Sequence, residues 1–227
     1  IILWRSDDLV SWSNEYLPES IFLDNNSGFA ANPLWYGAPK MYFDDTSMKY
    51  IITWHASKVG VDEGNEKWKS MRTFYVLSSD LETFTKPMRL FYFKSEADKE
   101  MATIDVIIRK VGSIYYAIIK DERWPEECTT GKTIRISISE NLTGPYSNPG
   151  PPITPSWFEA PTLVPKLDNS GWYIYAESYP HKYMLFEADS ISGSWSPVDF
   201  SLEKARHGCI LQIDENQFNT IMSAYSD

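Results

Sequence analysis

One short pattern recurs four times along the chain and constrains what it can fold into. It begins as Ser6-Asp7-Asp8-Leu9-Val10-Ser11-Trp12-Ser13 and recurs as Ser79-Asp80-Leu81-Glu82-Thr83-Phe84-Thr85. It returns as Ser139-Glu140-Asn141-Leu142-Thr143-Gly144-Pro145-Tyr146-Ser147 and as Asp189-Ser190-Ile191-Ser192-Gly193-Ser194-Trp195-Ser196. Each copy is a polar turn, an aliphatic residue, a second turn, and an aromatic followed by Ser or Thr. Strand–turn–strand segments lie between the copies. The first runs from Lys40 to Trp54 around Asp44-Asp45-Thr46-Ser47, and the second from Val106 to Ile119 around Gly112. The third runs from Thr162 to Ala176 around Asp168-Asn169-Ser170-Gly171. Their β-branched and aromatic residues suit strands, and Asp and Gly suit tight hairpins.

Helical periodicity is scarce. A unit of roughly 50 to 70 residues with about four antiparallel strands fits one blade of a β-propeller. A single blade cannot bury both faces, so blades stack around an axis. Aromatic residues make up 15% of the chain, and most of them read as packing rings between blades. Residues 31–200 hold three units, with a partial unit at each end. Ile1 to Ser13 supplies a last strand and its turn. Arg206 to Ile213 is followed by a short helix over Asp214 to Tyr225, with Asp214 as N-cap and Gln217 at N3. No linker composition interrupts the chain. Residues 1–227 therefore read as one all-β domain, a five-bladed β-propeller lacking most of its first blade at the N-terminus. The strand-like start at Ile1-Ile2-Leu3-Trp4 carries the expectation of upstream sequence.

Composition excludes other classes. The formal net charge of −10 opposes general nucleic-acid binding, which needs Lys and Arg on phosphates. No stretch approaches the roughly 20 apolar residues of a membrane span. The apolar content rules out disorder. Cys128 and Cys209 are too few for a disulfide framework. They read as two unpaired, buried thiols, with a single bridge as the alternative.

The ordered fragments resemble the five-bladed propeller of glycoside hydrolase family 43. Ser6 to Trp12 is similar to the family's S-D-L-x-x-W turn. Gly37-Ala38-Pro39-Lys40 resembles the entry W-A-P-E, Thr103-Ile104-Asp105-Val106 the entry I-D-A, and Glu159-Ala160-Pro161 the entry E-G-P. Arg206-His207-Gly208 matches the late R-H-G element. The resemblance implies a glycosidase (of α-L-arabinofuranosidase, β-xylosidase or arabinanase type) acting on arabinose- or xylose-containing plant cell-wall carbohydrates. A secreted or periplasmic location follows from so large a substrate.

Inverting glycoside hydrolysis needs a protonated carboxyl on the leaving oxygen and an ionised one on water, roughly 6.5–9.5 Å apart. Asp105 and Glu159 stand at strand entries as lone acids beside apolar or aromatic neighbours. The resemblance implies Glu159 as general acid and Asp105 as its orienter and pKa modulator. The competing readings are a strand-end ion pair for Glu159 and a turn cap for Asp105. Trp35, Trp157, Arg206 and His207 are the expected substrate contacts. His207 reads either as a satisfied core residue or as facing a central water or metal ion. No cofactor is required, and a structural calcium near the axis is the one metal implied.

Two departures stand out. The family's base, an Asp on the first strand of the first blade, has no counterpart. Asp7 and Asp8 belong to an outer turn, and nothing in the spacing supports Asp24 or Asp45. Gly37 and Lys40 replace the usual Trp and Glu, so Gly37 removes a pocket wall that Trp35 or Tyr36 can replace. Trp54, Trp124 and Tyr179 are further aromatic candidates. The polar loop from Lys58 to Ser70 is a candidate rim, and Lys94 to Glu100 reads as a solvated loop. Asn25-Asn26-Ser27 and Asn141-Leu142-Thr143 match glycosylation sequons. Two other functions stay open: a catalytically degenerate carbohydrate-binding propeller, and a propeller used for protein contacts.

Overall fold

The computed structural model describes residues 1–22 and 37–226. Strands β1 (Ile2–Arg5) and β2 (Ser13–Tyr16) form a two-stranded sheet. Strands β3 (Gly37–Asp44), β4 (Lys49–Ala56), β5 (Arg72–Ser78) and β6 (Met88–Arg89) follow as an antiparallel meander. A three-stranded sheet comes next: β7 (Thr103–Val111), β8 (Ile114–Asp121) and β9 (Ile134–Ser139). The last meander is β10 (Phe158–Pro165), β11 (Trp172–Ser178), β12 (Lys182–Ala188) and β13 (Ser196–Glu203). First strands neighbour one another, with β7 packed against both β3 and β10. This is the side-by-side arrangement of blades. Among the described residues it comprises three blade-like sheets and one small sheet, and no sheet closes on itself.

The core lies between sheets. Successive strand residues face opposite ways, so Ile51 and Ile52 enter different apolar clusters, as do Ile107 and Ile108. Ile51, Tyr75, Ile108 and Tyr115 join the second sheet to the third. Ile107, Ile118, Phe158 and Ile174 join the third to the fourth. Leu3, Leu17, Trp54 and Phe74 join the small sheet to the second.

The first two copies of the repeated turn share one construction. Ser6 Oγ accepts the Leu9 N–H and Ser78 Oγ accepts the Leu81 N–H, at 2.8 and 2.7 Å. Asp8 Oδ1 accepts the N–H groups of Val10 and Ser11, and Asp80 Oδ1 those of Glu82 and Thr83. Leu9 and Leu81 adopt positive φ, 62° and 60°. The aromatic then closes the turn. Trp12 Nε1 donates to the Leu9 carbonyl, Tyr146 Oη to that of Leu142, and Trp195 Nε1 to that of Ile191. Phe84 has no donor and packs on the Trp54 cluster instead.

Several expectations need correction. The rim loop contains a short helix, α1 (Gly64–Lys69). Asp98, inside the supposedly solvated 94–100 loop, is buried and binds Arg123 and Arg135. The cysteines are unpaired, but Cys209 is exposed and Cys128 half-buried. Trp54 is fully buried and is no sugar platform. Helix α2 (Glu215–Tyr225) begins at Asp214 with the expected capping box to Gln217. Asn141 is exposed in its turn; Asp24, Asn25, Trp35 and Tyr36 lie outside the described residues.

Candidate active site

The same irregularity opens each blade-like sheet. A bulge sets two residues against one between Gly37 and Lys40, between Ile104 and Ile107, and between Glu159 and Thr162. The first bulge residue is left-handed each time: Ala38 at φ 41°, Asp105 at 51° and Ala160 at 48°. A bulge bends its strand and re-aims side chains. Gly37, Ile104 and Glu159 thus occupy equivalent positions. Their partners across the hairpin are His55, Lys120 and Glu177. All three partners are buried polar groups ending apolar strands.

These positions converge on a cavity of about 580 Å³ lined by Asp105, Glu122, Glu159, His55, Lys120, Lys132, Arg206 and His207. Asn65 and Trp68 of α1, with Trp124, Trp157 and Tyr179, supply further wall. Asp105 Oδ2 accepts the Ala160 N–H at 3.0 Å, which ties Asp105 to the residue after Glu159. Glu159 Oε2 accepts Lys120 Nζ at 2.5 Å. Glu159 Oε1 lies 3.5 Å from His207 Nε2 and 4.0 Å from Arg206. Glu177 orients both of those residues: Arg206 Nε donates to Oε1 at 2.7 Å, and the His207 N–H donates to Oε2 at 3.2 Å. Tyr183 Oη bridges the carbonyls of Ala160 and Gly208.

The electrostatics differ from the lone-acid expectation. In sequence Glu159 is flanked by Phe158 and Ala160; in space it faces an ammonium, a guanidinium and an imidazole. Burial by itself pulls Lys120 down, but Glu122, Glu159 and Asp105 outweigh it and the net direction is up. Lys132 goes the other way, because its burial exceeds what Glu122 returns. Burial pushes His55 down to about 4 against the attraction of Asp105, with Lys120 and His207 adding to the fall. Lys120 also lies 2.9 Å from Glu122. Glu122 and Glu159 therefore share one ammonium between them.

Trp157 is exposed beside Glu159, at φ 71°, and meets Trp124 edge to face at 5.6 Å. Lys132 lies over both rings, at 4.7 and 5.9 Å. Of the sequence-derived candidates, Asp105, Glu159, Trp157, Arg206 and His207 come together here. Lys40, Asp7, Asp8 and Asp45 do not line the cavity. His55, Lys120, Lys132, Glu122 and Glu177 carry no site role in the sequence reading. Gly37 does not open the expected gap: a Cβ there would sit 2.0 Å from His55 Nε2, so the imidazole takes the space.

Asp105, Glu159 and His207 present one ligand atom each, all within 4.8 Å of one another. Calcium takes six to eight oxygens, whereas this set holds two carboxylates and a nitrogen, with Lys120 already on Glu159. The donors do not fit directly bound calcium.

Comparison with known proteins gives the lineage. Residues 1–219 match the family model described as a probable glycosyl hydrolase domain, related to glycoside hydrolase family 43. An α-L-arabinofuranosidase of Bifidobacterium longum subsp. longum is 25% identical over 89% of this chain, which spans 22% of that protein. Two solved structures share the fold. The exo-β-1,3-galactanase of Phanerochaete chrysosporium with galactose has a TM-score of 0.55 at 15% identity, covering 88% of this chain and 42% of the other. Bacteroides ovatus xyloglucan PUL GH43B has a TM-score of 0.57 at 16% identity, covering 87% and 35%. With the matched model spanning all three blade-like sheets, the chain belongs to the glycoside hydrolase family 43-related glycosyl hydrolases.

Proposed function

We propose that this cavity hydrolyses O-glycosidic bonds in arabinose- or xylose-containing plant cell-wall poly- and oligosaccharides, with inversion, outside the cell, on a five-bladed propeller. The observation that carries the reading is Glu159 in an aromatic-walled cavity, with Asp105 fixed beside it through the Ala160 N–H. Glu159 gives its proton to the leaving oxygen. Negative charge then appears on its carboxylate, where Lys120, Arg206 and His207 already stand. Groups fixed where charge develops stabilise the transition state without reorganising. Asp105 orients Glu159 and tunes its acidity. Trp157 offers an exposed ring to a sugar face, and Trp35 is proposed for the same surface. Arg206 and His207 contact sugar hydroxyls.

The reading takes the water-activating carboxylate from outside this cluster. Asp105 offers an oxygen within 4.8 Å of Glu159, and Glu122 shares Lys120 with it, so neither is assigned as the water-activating base. No step is routed through calcium.

The test uses the full-length protein on aryl α-L-arabinofuranosides, β-xylosides and β-galactosides, with the product anomer read by NMR. Glu159→Gln should lower kcat by about 10²–10⁴-fold in a variant whose circular dichroism shows the fold retained. Full activity in that variant would sink the assignment of the acid. Sugar binding without turnover by the wild type would replace hydrolysis with carbohydrate binding.

A further inference from the structure

His55, Lys120 and Glu177 occupy one repeated position, the last inward residue of the second strand, and each touches the sheet or segment that follows its own. Lys120 of the third sheet donates to Glu159 of the fourth. Glu177 of the fourth accepts from Arg206 and His207 beyond it. His55 of the second sheet meets Asp105 of the third. The Asp105 N–H points to His55 Nδ1 at 3.5 Å, and Asp105 Oδ1 lies 4.0 Å from the same nitrogen.

Three features bear on His55. Its ring is 4% exposed and packs against Gly37, where any larger residue would collide with it. Asp105 holds a left-handed conformation that a non-glycine residue adopts at a cost, so its backbone needs an outside hold. Asp105 is also the group that reaches the Ala160 N–H next to Glu159. We propose that His55 is a positioning residue: through Nδ1, with its proton on Nε2, it fixes the Asp105 bulge and thereby the approach of Asp105 to Glu159. Gly37 is the space that lets it do so. The proposal rests on the reading of Asp105 and Glu159 given above. Among the described residues, the titratable groups facing the imidazole are Asp105 of β7, Lys120 of β8 and His207 beyond β13.

Two measurements separate this proposal from that reading. The chain has three histidines, so side-chain ¹⁵N NMR of ¹⁵N-histidine-labelled protein resolves each ring, whether or not turnover is observed. His55 should be neutral with the proton on Nε2 at pH 6. An Nδ1–H tautomer or an imidazolium there overturns the proposal. The second measurement is kinetic, on whichever aryl glycoside the wild type turns over. His55→Leu should lower kcat by about 10²-fold, the scale of a small misplacement near the chemistry, with KM changed by no more than a few fold. His55→Asn restores an acceptor and should recover most of the loss. Gly37→Ala should cost kcat in the presence of His55 but little more in a His55→Ala background, a coupling that a double-mutant cycle isolates. Equal kcat in His55→Leu and wild type, no recovery by Asn, or strict additivity with Gly37→Ala each counts against it.

Discussion

A buried neutral histidine has a pH signature of its own. His55 titrates near 4 in the folded protein and near 6.5 when unfolded. Between those values the unfolded chain binds the extra proton, so stability is fully present above about 6.5 and falls as pH drops towards 4. The lost contribution is on the order of 3 kcal/mol. Urea denaturation at pH 7 and pH 4 should show the wild type losing about that much more than His55→Leu. Equal losses would mean that the ring is already charged in the folded state. Glu159, Asp105, Arg206, His207 and Trp157 were legible in sequence because they sit in ordered fragments at strand entries. Lys120 and His55 were not, because a chain lists neighbours along a strand and these act across sheets. A sign was present nonetheless: Trp54-His55, Ile119-Lys120 and Ala176-Glu177 each end an apolar strand on a buried polar group.

The elements most readable from sequence are those whose bonds are local. The repeated turns are legible because their Ser, Asp and ring groups, in differing combinations, satisfy backbone groups only a few residues away. The role of the ring was read incompletely. Packing between sheets is half of it, and closing its own turn is the other. Tyr146→Phe keeps the ring and deletes the 2.9 Å bond to the buried Leu142 carbonyl. It should cost about 1 kcal/mol in urea titrations. No change would mean that the ring alone holds the turn. The bulges are less legible, since Ile-Asp-Val shares no residue with Gly-Ala-Pro and Glu-Ala-Pro, which have Ala-Pro in common. What they share is a left-handed backbone, which residue identity encodes weakly outside glycine and asparagine. Helix α1 was missed because six residues are too few for a periodic signal.

At the scale of the molecule, stability comes from clusters that no single sheet owns. Ile118 is fully buried between the third and fourth sheets. Ile118→Ala should destabilise by about 2–5 kcal/mol, and hydrogen exchange should speed up in both sheets together. Exchange confined to β7–β9 would show that the sheets unfold independently. The sheet order and the all-β class followed from strand periodicity, which is a property of the whole chain. The cationic company of Glu159 did not, since it depends on how the third sheet, the fourth and the segment after β13 meet.

The repeated bulge has a further meaning. Every blade-like sheet repeats the same three addresses beside the cavity: a strand entry, a left-handed residue and the partner opposite. The occupants are Gly37, Ala38 and His55; Ile104, Asp105 and Lys120; Glu159, Ala160 and Glu177. The backbone is symmetric and the chemistry is not. The asymmetry of the three entries thus lies in their side chains, since the bulge register is the same in each. Exchanging those occupants is the shortest route from this site to another.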